Sequence, residues 1–353
     1  MMNWLLVFVP AAIALEFLAP ERHLLIFAVS SLAILPLAGW MGRATEALAE
    51  HVGEGVGGLL NATFGNAAEL IIALAALRAG LHDVVKASLA GSIVGNILLV
   101  LGAAMLAGGL RHPEQHFNPL GARSQATMLT LAAIAMILPA AFRAATGATA
   151  EGLGRLSVSI SVVLLLGYAS YLVFALVTHP TLFRGAHEAE EGKPSTSAAR
   201  AAATLAAATA AIAWMSEILV GAIEPTAQEL GLSDVFVGVF VVAILGNAAE
   251  HATAIAAALK DRMDLSLSIA IGSSVQVALF VAPVLVLASL VLGPAPMDLA
   301  FPSGLVLIVL LSVLITGQVA GDGRSDWLKG MQLLAVYLVL GLTYFFLPGG
   351  ASH

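Results

Sequence analysis

The sequence predicts an all-α integral membrane protein of eleven transmembrane helices, arranged as one extra helix and two five-helix repeats of inverted topology (1 + 5 + 5). Three observations predict it. Of 353 residues, 59% are hydrophobic and 10% are charged, where soluble domains carry about 25% charged residues. The apolar residues fall in runs of about 20, each long enough to cross ~30 Å of hydrocarbon. A five-residue string, Gly65-Asn66-Ala67-Ala68-Glu69, recurs letter for letter as Gly246-Asn247-Ala248-Ala249-Glu250. The composition excludes a soluble protein. No stretch outside the apolar runs approaches the ~50 residues of the smallest independent domains, so an enzyme with a separate catalytic domain is excluded and any chemistry lies inside the bilayer. Cys is absent, which rules out disulfides, thiol catalysis and thiolate metal sites. A net charge of -7 offers nucleic acid no basic surface.

The first run, 3–20, contains Pro10 and Glu16 and lacks a basic leader. With ten further runs behind it, it reads as a membrane helix rather than a cleaved signal, and Glu16 falls at its interfacial end. The first repeat, 23–178, holds runs at 23–41, 57–78, 84–109, 123–143 and 155–178. Residues 179–199 form a polar linker with the acids Glu188, Glu190 and Glu191, followed by Pro194 and a Ser/Thr stretch, a composition that suits a mobile connection. The second repeat, 200–353, holds runs at 200–223, 233–259, 265–293, 299–317 and 328–347. Threading these eleven runs puts 10 of the 15 Lys and Arg on the N-terminal side, among them Arg43, Arg111, Arg200, Arg262 and Lys329. The positive-inside rule then sets the N-terminus in the cytoplasm and the C-terminus outside, in a multi-pass protein of a bacterial inner membrane. Glu46, Glu50 and Glu54 recur every four residues, so a helix there carries a carboxylate stripe near the cytoplasmic mouth. A solvated face and an electrostatic funnel for cations both account for the stripe, and for the linker acids.

The repeated string carries the chemistry. The offset of 181 also aligns Gly57 with Gly238, Asp83 with Asp264, and Gly91-Ser92 with Gly272-Ser273. Asn occurs only six times in the chain, so the match is an internal duplication rather than a product of composition. Copies five spans apart cross the membrane in opposite senses, the pattern of alternating-access carriers whose site lies between the halves near the midplane. Glu69 falls about twelve residues into its run, ~18 Å along a helix, and Glu250 at the matching depth. A carboxylate at that depth costs roughly 2.5 to 3.5 kcal/mol, so each is protonated or holds a cation.

Hard divalent cations, Ca2+ above all, take oxygen ligands from carboxylates, amides, backbone carbonyls and water. Glu69 and Glu250 supply a charge of -2, and Asn66 and Asn247, three residues earlier on the same helical face, supply amide oxygens. Gly65 and Gly246 weaken the helix and expose carbonyls to the cavity. One Ca2+ neutralises the pair and so do two protons, whereas the empty site would carry a double negative charge across. The two ligands therefore compete, which is obligatory cation/proton exchange. Ca2+ and H+ are transported substrates here, and no cofactor is called for.

The paired GNAAE strings, each followed 26 residues on by Gly-Ser, resemble the calcium/proton exchanger (CAX) family of the calcium/cation antiporter superfamily. The resemblance extends through GGLLNATFGNAAEL at 57–70, SLAGSIVGNILLVLG at 88–102, GNAAEH at 246–251, KDRMDLSLSIAIGSSVQVALF at 260–280 and DGRSDWLKG at 322–330. It implies a sodium/calcium-exchanger-like fold, an acidic linker between the halves, and Ca2+ export from the cytoplasm driven by protons. It makes Glu69 and Glu250 the family's essential glutamates, and Ser92, Asn96, Ser273 and Gln276 polar residues lining the same cavity. The second half departs from strict symmetry, with Gln276 opposite Gly95 and Val277 opposite Asn96.

Simpler roles stand beside these. Asn66 and Asn247 can serve as interhelical hydrogen bonders, and the Gly-Ser pairs as close-packing positions. His251 sits about 100° round the helix from Glu250, which suits a satisfied bundle histidine, with a proton relay as the alternative. Glu217, in SEILVGAIE, lines an entry or bonds a neighbour. Two rival functions share the pattern: a Na+ or K+/H+ antiporter on the same scaffold, and a cation channel. The sequence leaves oligomeric state open.

Overall fold

In the computed structural model, residues 3–52, 54–180 and 196–346 are described. Glu188, Glu190 and Glu191 of the linker lie outside them, as does the side chain of Glu54. The described chain is almost entirely helical: α1 (Asn3–Leu18), α2 (His23–Val52), α3 (Glu54–Phe64), α4 (Ala67–Arg78), α5 (His82–Arg111), α6 (Pro119–Thr146), α7 (Ala150–Thr178), α8 (Ala198–Leu230), α9 (Val237–Ala248), α10 (Glu250–Leu259), α11 (Met263–Ala288), α12 (Ser303–Gly321) and α13 (Trp327–Phe345). Among the described residues, eight helices are long and apolar enough to cross a membrane, or nine if the bent α9–α10 pair counts as one span. The shortfall from eleven has two sources. The 16-residue α1 measures only ~24 Å at 1.5 Å per residue, and the 57–78 run is interrupted at Gly65-Asn66, which separates α3 from α4.

Local sequence accounts for the helix ends. Asn118 accepts from the Leu120 and Gly121 amides, with Pro119 supplying a preset φ at the first position of α6. Thr149, Ser197 and Asp326 cap α7, α8 and α13 through the amides of Gly152, Arg200 and Lys329. Gly147 and Gly231 end α6 and α8 in the left-handed conformation that only glycine adopts without cost. Exposed apolar side chains line α6 (Ile134, Leu138), α7 (Val163, Leu166), α12 (Leu307, Leu314) and α13 (Val339, Leu342). Such faces are stable against lipid and not against water.

α5 and α11 are the most enclosed spans. Each contains a π-helical stretch, Gly95–Val100 and Val277–Val281, at nearly the same place under the offset of 181. The packing follows the same exchange. α2 packs along α8, and α6 along α12. α4 packs on α8 while Ala243–Leu259, the end of α9 together with α10, packs on α2, and the starts of α5 and α11 pack on α12 and α6. The ends of α5 and α11 pack on α13 and α7.

Two connections that the hydropathy pattern did not foretell tie the halves together. Before α6, Gln115 Nε2 donates to Ala258 O at 2.8 Å and to Asp261 at 2.9 Å, and the Asn118 amide donates to Asp264 at 2.6 Å. A short antiparallel pair, Gln115–His116 with Arg324–Ser325, anchors the same connection. Between α11 and α12, Lys86 Nζ reaches Asp298 at 2.7 Å and Ala300 O at 3.0 Å. Residues 112–118 and 293–299 correspond under the offset, so each half clasps the α4–α5 or α10–α11 corner of the other.

Candidate cation and proton site

The break before α4 is written in its residues. Gly65 removes the side chain that would favour continued helix, and Asn66 precedes α4 with φ -102° and ψ 24°, so that Glu69 lies in the first turn of α4. Across the molecule, the helix axis bends by 67° between Ala248 and Glu250, a few positions further along the repeated string. Glu69 thus starts a half-helix, and Glu250 directly follows a bend. The N-terminal end of a helix stabilises negative charge by about 0.3–1 kcal/mol.

The structure brings the two strings together head to head. A Cβ built on Gly246 would lie 3.2 Å from Oε1 of Glu69, and one built on Gly65 would lie 3.7 Å from Oε1 of Glu250. Each carboxylate therefore occupies the space left by the other string's glycine. Gly65 and Gly246 do double duty: they loosen the helix and make room for the opposite acid.

Around the acids runs a polar network. Asn66 Nδ2 donates to Gln276 Oε1 at 2.6 Å, and its Oδ1 accepts from the Ser273 hydroxyl at 2.8 Å. Asn96 Nδ2 donates to Ser273 Oγ at 3.1 Å, and its Oδ1 faces His251 Nε2 at 3.1 Å, so the ring nitrogen is the donor. On the other side Asn247 Nδ2 donates to Ser92 Oγ at 3.0 Å and to Ala243 O at 2.9 Å. Asn66–Ser273 and Asn247–Ser92 are the same pair under the offset, and in each the serine comes from the opposite half. Asn66, Ser92, Asn96, Asn247 and Ser273 are all buried. Glu217 stands apart: half-exposed, it pairs with Arg78 at 3.0 Å and does not join the cluster. The His251–Asn96 link is the feature that sequence reasoning missed, because it depends on the register between two helices.

Three oxygens of this cluster are buried without a hydrogen-bond donor: Oε2 of Glu69, Oε2 of Glu250 and Oδ1 of Asn247. An unpaired buried acceptor costs about 1–3 kcal/mol, more when charged. Oxygens without donors are what a hard cation or a proton satisfies. Among the described residues no three His, Cys, Asp or Glu side chains group as a metal site. A cation held here would rely on two carboxylates, amide and backbone oxygens and water. Access to the two sides differs. Gly65 and Asn61 are exposed, whereas Gly246, Val242 and Ala243 are buried.

The family model described as sodium/calcium exchanger protein matches residues 22–177 and 200–346. A Ca(2+)/H(+) antiporter of Synechocystis sp. is 45% identical, covering 98% of this chain and 96% of its own. The Ca(2+)/H(+) antiporter ChaA of Bacillus subtilis is 42% identical, covering 97% of this chain and 98% of its own. Among solved structures, native YfkE superposes with a TM-score of 0.82 at 39% identity, covering 97% of this chain and all of that one. The H+/Ca2+ exchanger CAX superposes with a TM-score of 0.73 at 17% identity, covering 98% of this chain and 91% of that one, which bears on the fold alone.

Proposed function

The chain belongs to the sodium/calcium exchanger protein family, and from that premise we propose that it exports Ca2+ from the cytoplasm in exchange for H+, with Glu69 and Glu250 binding the cation and the protons in turn. The observation that carries the reading is the pair of facing carboxylates, each with a buried oxygen that lacks a donor. The full-length relatives named Ca(2+)/H(+) antiporter support the choice of ions. Asn66 and Asn247 contribute amide oxygens, and Ser92, Asn96, Ser273, Gln276 and His251 line the cavity and hold those amides in place.

The mechanism follows from charge. Loaded with one Ca2+ or two protons, the pair is neutral. Empty, it carries two charges whose crossing costs about 5 kcal/mol or more at the translocon-scale cost of each acid, which slows the empty carrier by a few thousandfold. Exchange is thus coupled without a separate gate. The protein acts as a carrier rather than an enzyme.

Eleven crossings accommodate the elements, with α3–α4 and α9–α10 each taken as one broken span and α1 as the extra first helix, followed by two inverted five-span halves. The reciprocal packing of α2 with α8, α4 with α8 and the α9–α10 pair with α2 supports the duplication. The Lys and Arg distribution supports a cytoplasmic N-terminus and an outside C-terminus in a bacterial inner membrane. In that orientation the exposed Gly65 side opens to the cytoplasm.

Reconstituted into vesicles with a proton gradient, the protein takes up 45Ca. Glu69→Gln and Glu250→Gln each abolish the uptake. Uptake that persists in both variants overturns the assignment, and uptake indifferent to the proton gradient overturns the coupling.

A further inference from the structure

α12 and α13 are consecutive spans that hardly touch one another: α12 packs on α6, and α13 on the end of α5. Between them, running in from their connection, lies a cleft of about 650 Å³. Its walls change character with depth. Asp322 and Lys329 stand at the mouth, Gln318 and Gln332 come about one turn further in, and Ile315 and Val336, seven residues in, close it ~10 Å down. Both glutamines are exposed, each one turn from a leucine, Leu314 or Leu328, that is exposed as well. Among the described residues neither amide has a hydrogen-bond partner. The hydrocarbon core offers none, whereas the boundary between headgroups and acyl chains, ~5–10 Å deep, does. The duplicated architecture does not account for these side chains, because Gln318, Asp322 and Lys329 correspond under the offset to Ile137, Ala141 and Ala148.

We propose that this cleft binds one phospholipid with an ethanolamine headgroup: its phosphate at Lys329, its primary ammonium at Asp322, its ester carbonyls at the Gln318 and Gln332 amides, and one acyl chain along Ile315 and Val336. Charge selects the headgroup. Lys329 Nζ lies 2.8 Å from Asp322 Oδ2 and donates to Arg324 O at 2.8 Å. Arg123, which donates to Gly321 O at 3.1 Å, is a second cation beside Asp322. The hydrogen bond and charge of Lys329, with Arg123 behind them, hold the Asp322 carboxyl below the usual carboxylate range. The remaining charges are engaged elsewhere, Arg324 with Glu114 at 3.5 Å and Asp326 in capping α13. The mouth thus sets an anion beside cations, the complement of a headgroup that carries one charge of each sign. A glycerol headgroup leaves Asp322 without a cation, and a choline headgroup brings a methylated ammonium with no N–H to donate, whereas a primary ammonium has three. The proposal requires only that α12 and α13 cross a bilayer and is independent of the exchange chemistry. In the proposed topology the mouth lies in the cytoplasmic leaflet.

Native mass spectrometry of the delipidated protein reads the preference, with phosphatidylethanolamine, phosphatidylcholine and phosphatidylglycerol of the same acyl chains offered in equal amounts. Wild type is expected to retain one phosphatidylethanolamine per chain at severalfold higher occupancy than either rival. Asp322→Asn, which removes only the charge that faces the ammonium, brings ethanolamine down to the level of choline. The double variant Gln318→Leu/Gln332→Leu weakens all three alike, since all three carry the same esters. Thermal unfolding in detergent gives an independent reading: phosphatidylethanolamine raises the midpoint of wild type by a few degrees and leaves that of Asp322→Asn unmoved. A preference for phosphatidylglycerol, equal retention of all three by wild type, an ethanolamine preference that survives Asp322→Asn, or wild-type retention by the glutamine double variant overturns the proposal. Efficient disulfide crosslinking of Gln332→Cys between two chains in the membrane overturns it as well, because a second copy of the chain then fills the cleft.

Discussion

A Cβ placed on Gly65 meets the backbone oxygen of Asn61 at 2.8 Å, while one on Gly246 meets the Glu69 side chain at 3.2 Å. Backbone cannot yield as a side chain can, so the two substitutions differ in cost. Gly65→Ala is expected to lower the initial rate of 45Ca uptake by roughly tenfold or more and Gly246→Ala by a few fold, in keeping with the penalties for displaced site groups. Equal rates for the two would contradict the packing described. At this scale the sequence was informative where residues are duplicated. Glu69, Glu250, Asn66, Asn247, Ser92 and Ser273 repeat at one offset and meet in one cluster. It was uninformative where a partner depends on helix register: nothing in the string GNAAEH points from His251 to Asn96, 155 residues away. For Glu217 the sequence left an entry-lining role and a bond to a neighbour open, and the register of α8 sets it beside Arg78.

Among the elements, the connection between α11 and α12 offers the sharpest test, because Lys86 is 7% exposed and its charge is met by Asp298 and the Ala300 carbonyl. Removing one partner of a buried pair strands the other. Asp298→Asn should destabilise by about 3 kcal/mol, the low end of the range for a broken buried pair, since Asp298 is partly exposed. Replacing both by leucine should recover most of that loss. Thermal unfolding of the three proteins in detergent checks both statements, and an unchanged midpoint for Asp298→Asn contradicts them. Long apolar runs were legible because hydropathy follows local composition. The clasps were not, since Lys86 and Asp298 lie 212 residues apart and isolated charges near helix ends look alike in sequence. The 57–78 run read as one span because hydropathy averages over a Gly-Asn step that the backbone treats as a break.

For the molecule as a whole, the proposed inversion of the halves sets which loops face which compartment. The chain has no native cysteine, so single introduced ones report cleanly. Ala144→Cys, past the middle of the first half, is expected to react with an impermeant maleimide added outside intact cells, and His116→Cys only after the membrane is opened. Labelling of both from outside would reject the topology. Competition for one pair of acids also fixes the sign of the pH dependence. Protons occupy the ligands as pH falls, so Ca2+ affinity falls with it, by up to about a hundredfold per pH unit while both carboxyls are protonated. Below both ionisations the site is closed to Ca2+, and above both the affinity levels off. The central claim is that one Ca2+ replaces two protons at Glu69 and Glu250. Proton release on Ca2+ addition to the purified protein, in weak buffer acidic enough that both carboxyls begin protonated, measures it directly. The account predicts two protons per Ca2+ bound in wild type and no Ca2+-dependent release in Glu69→Gln/Glu250→Gln. Ca2+ bound with no proton released, or release that survives in the double variant, would contradict it.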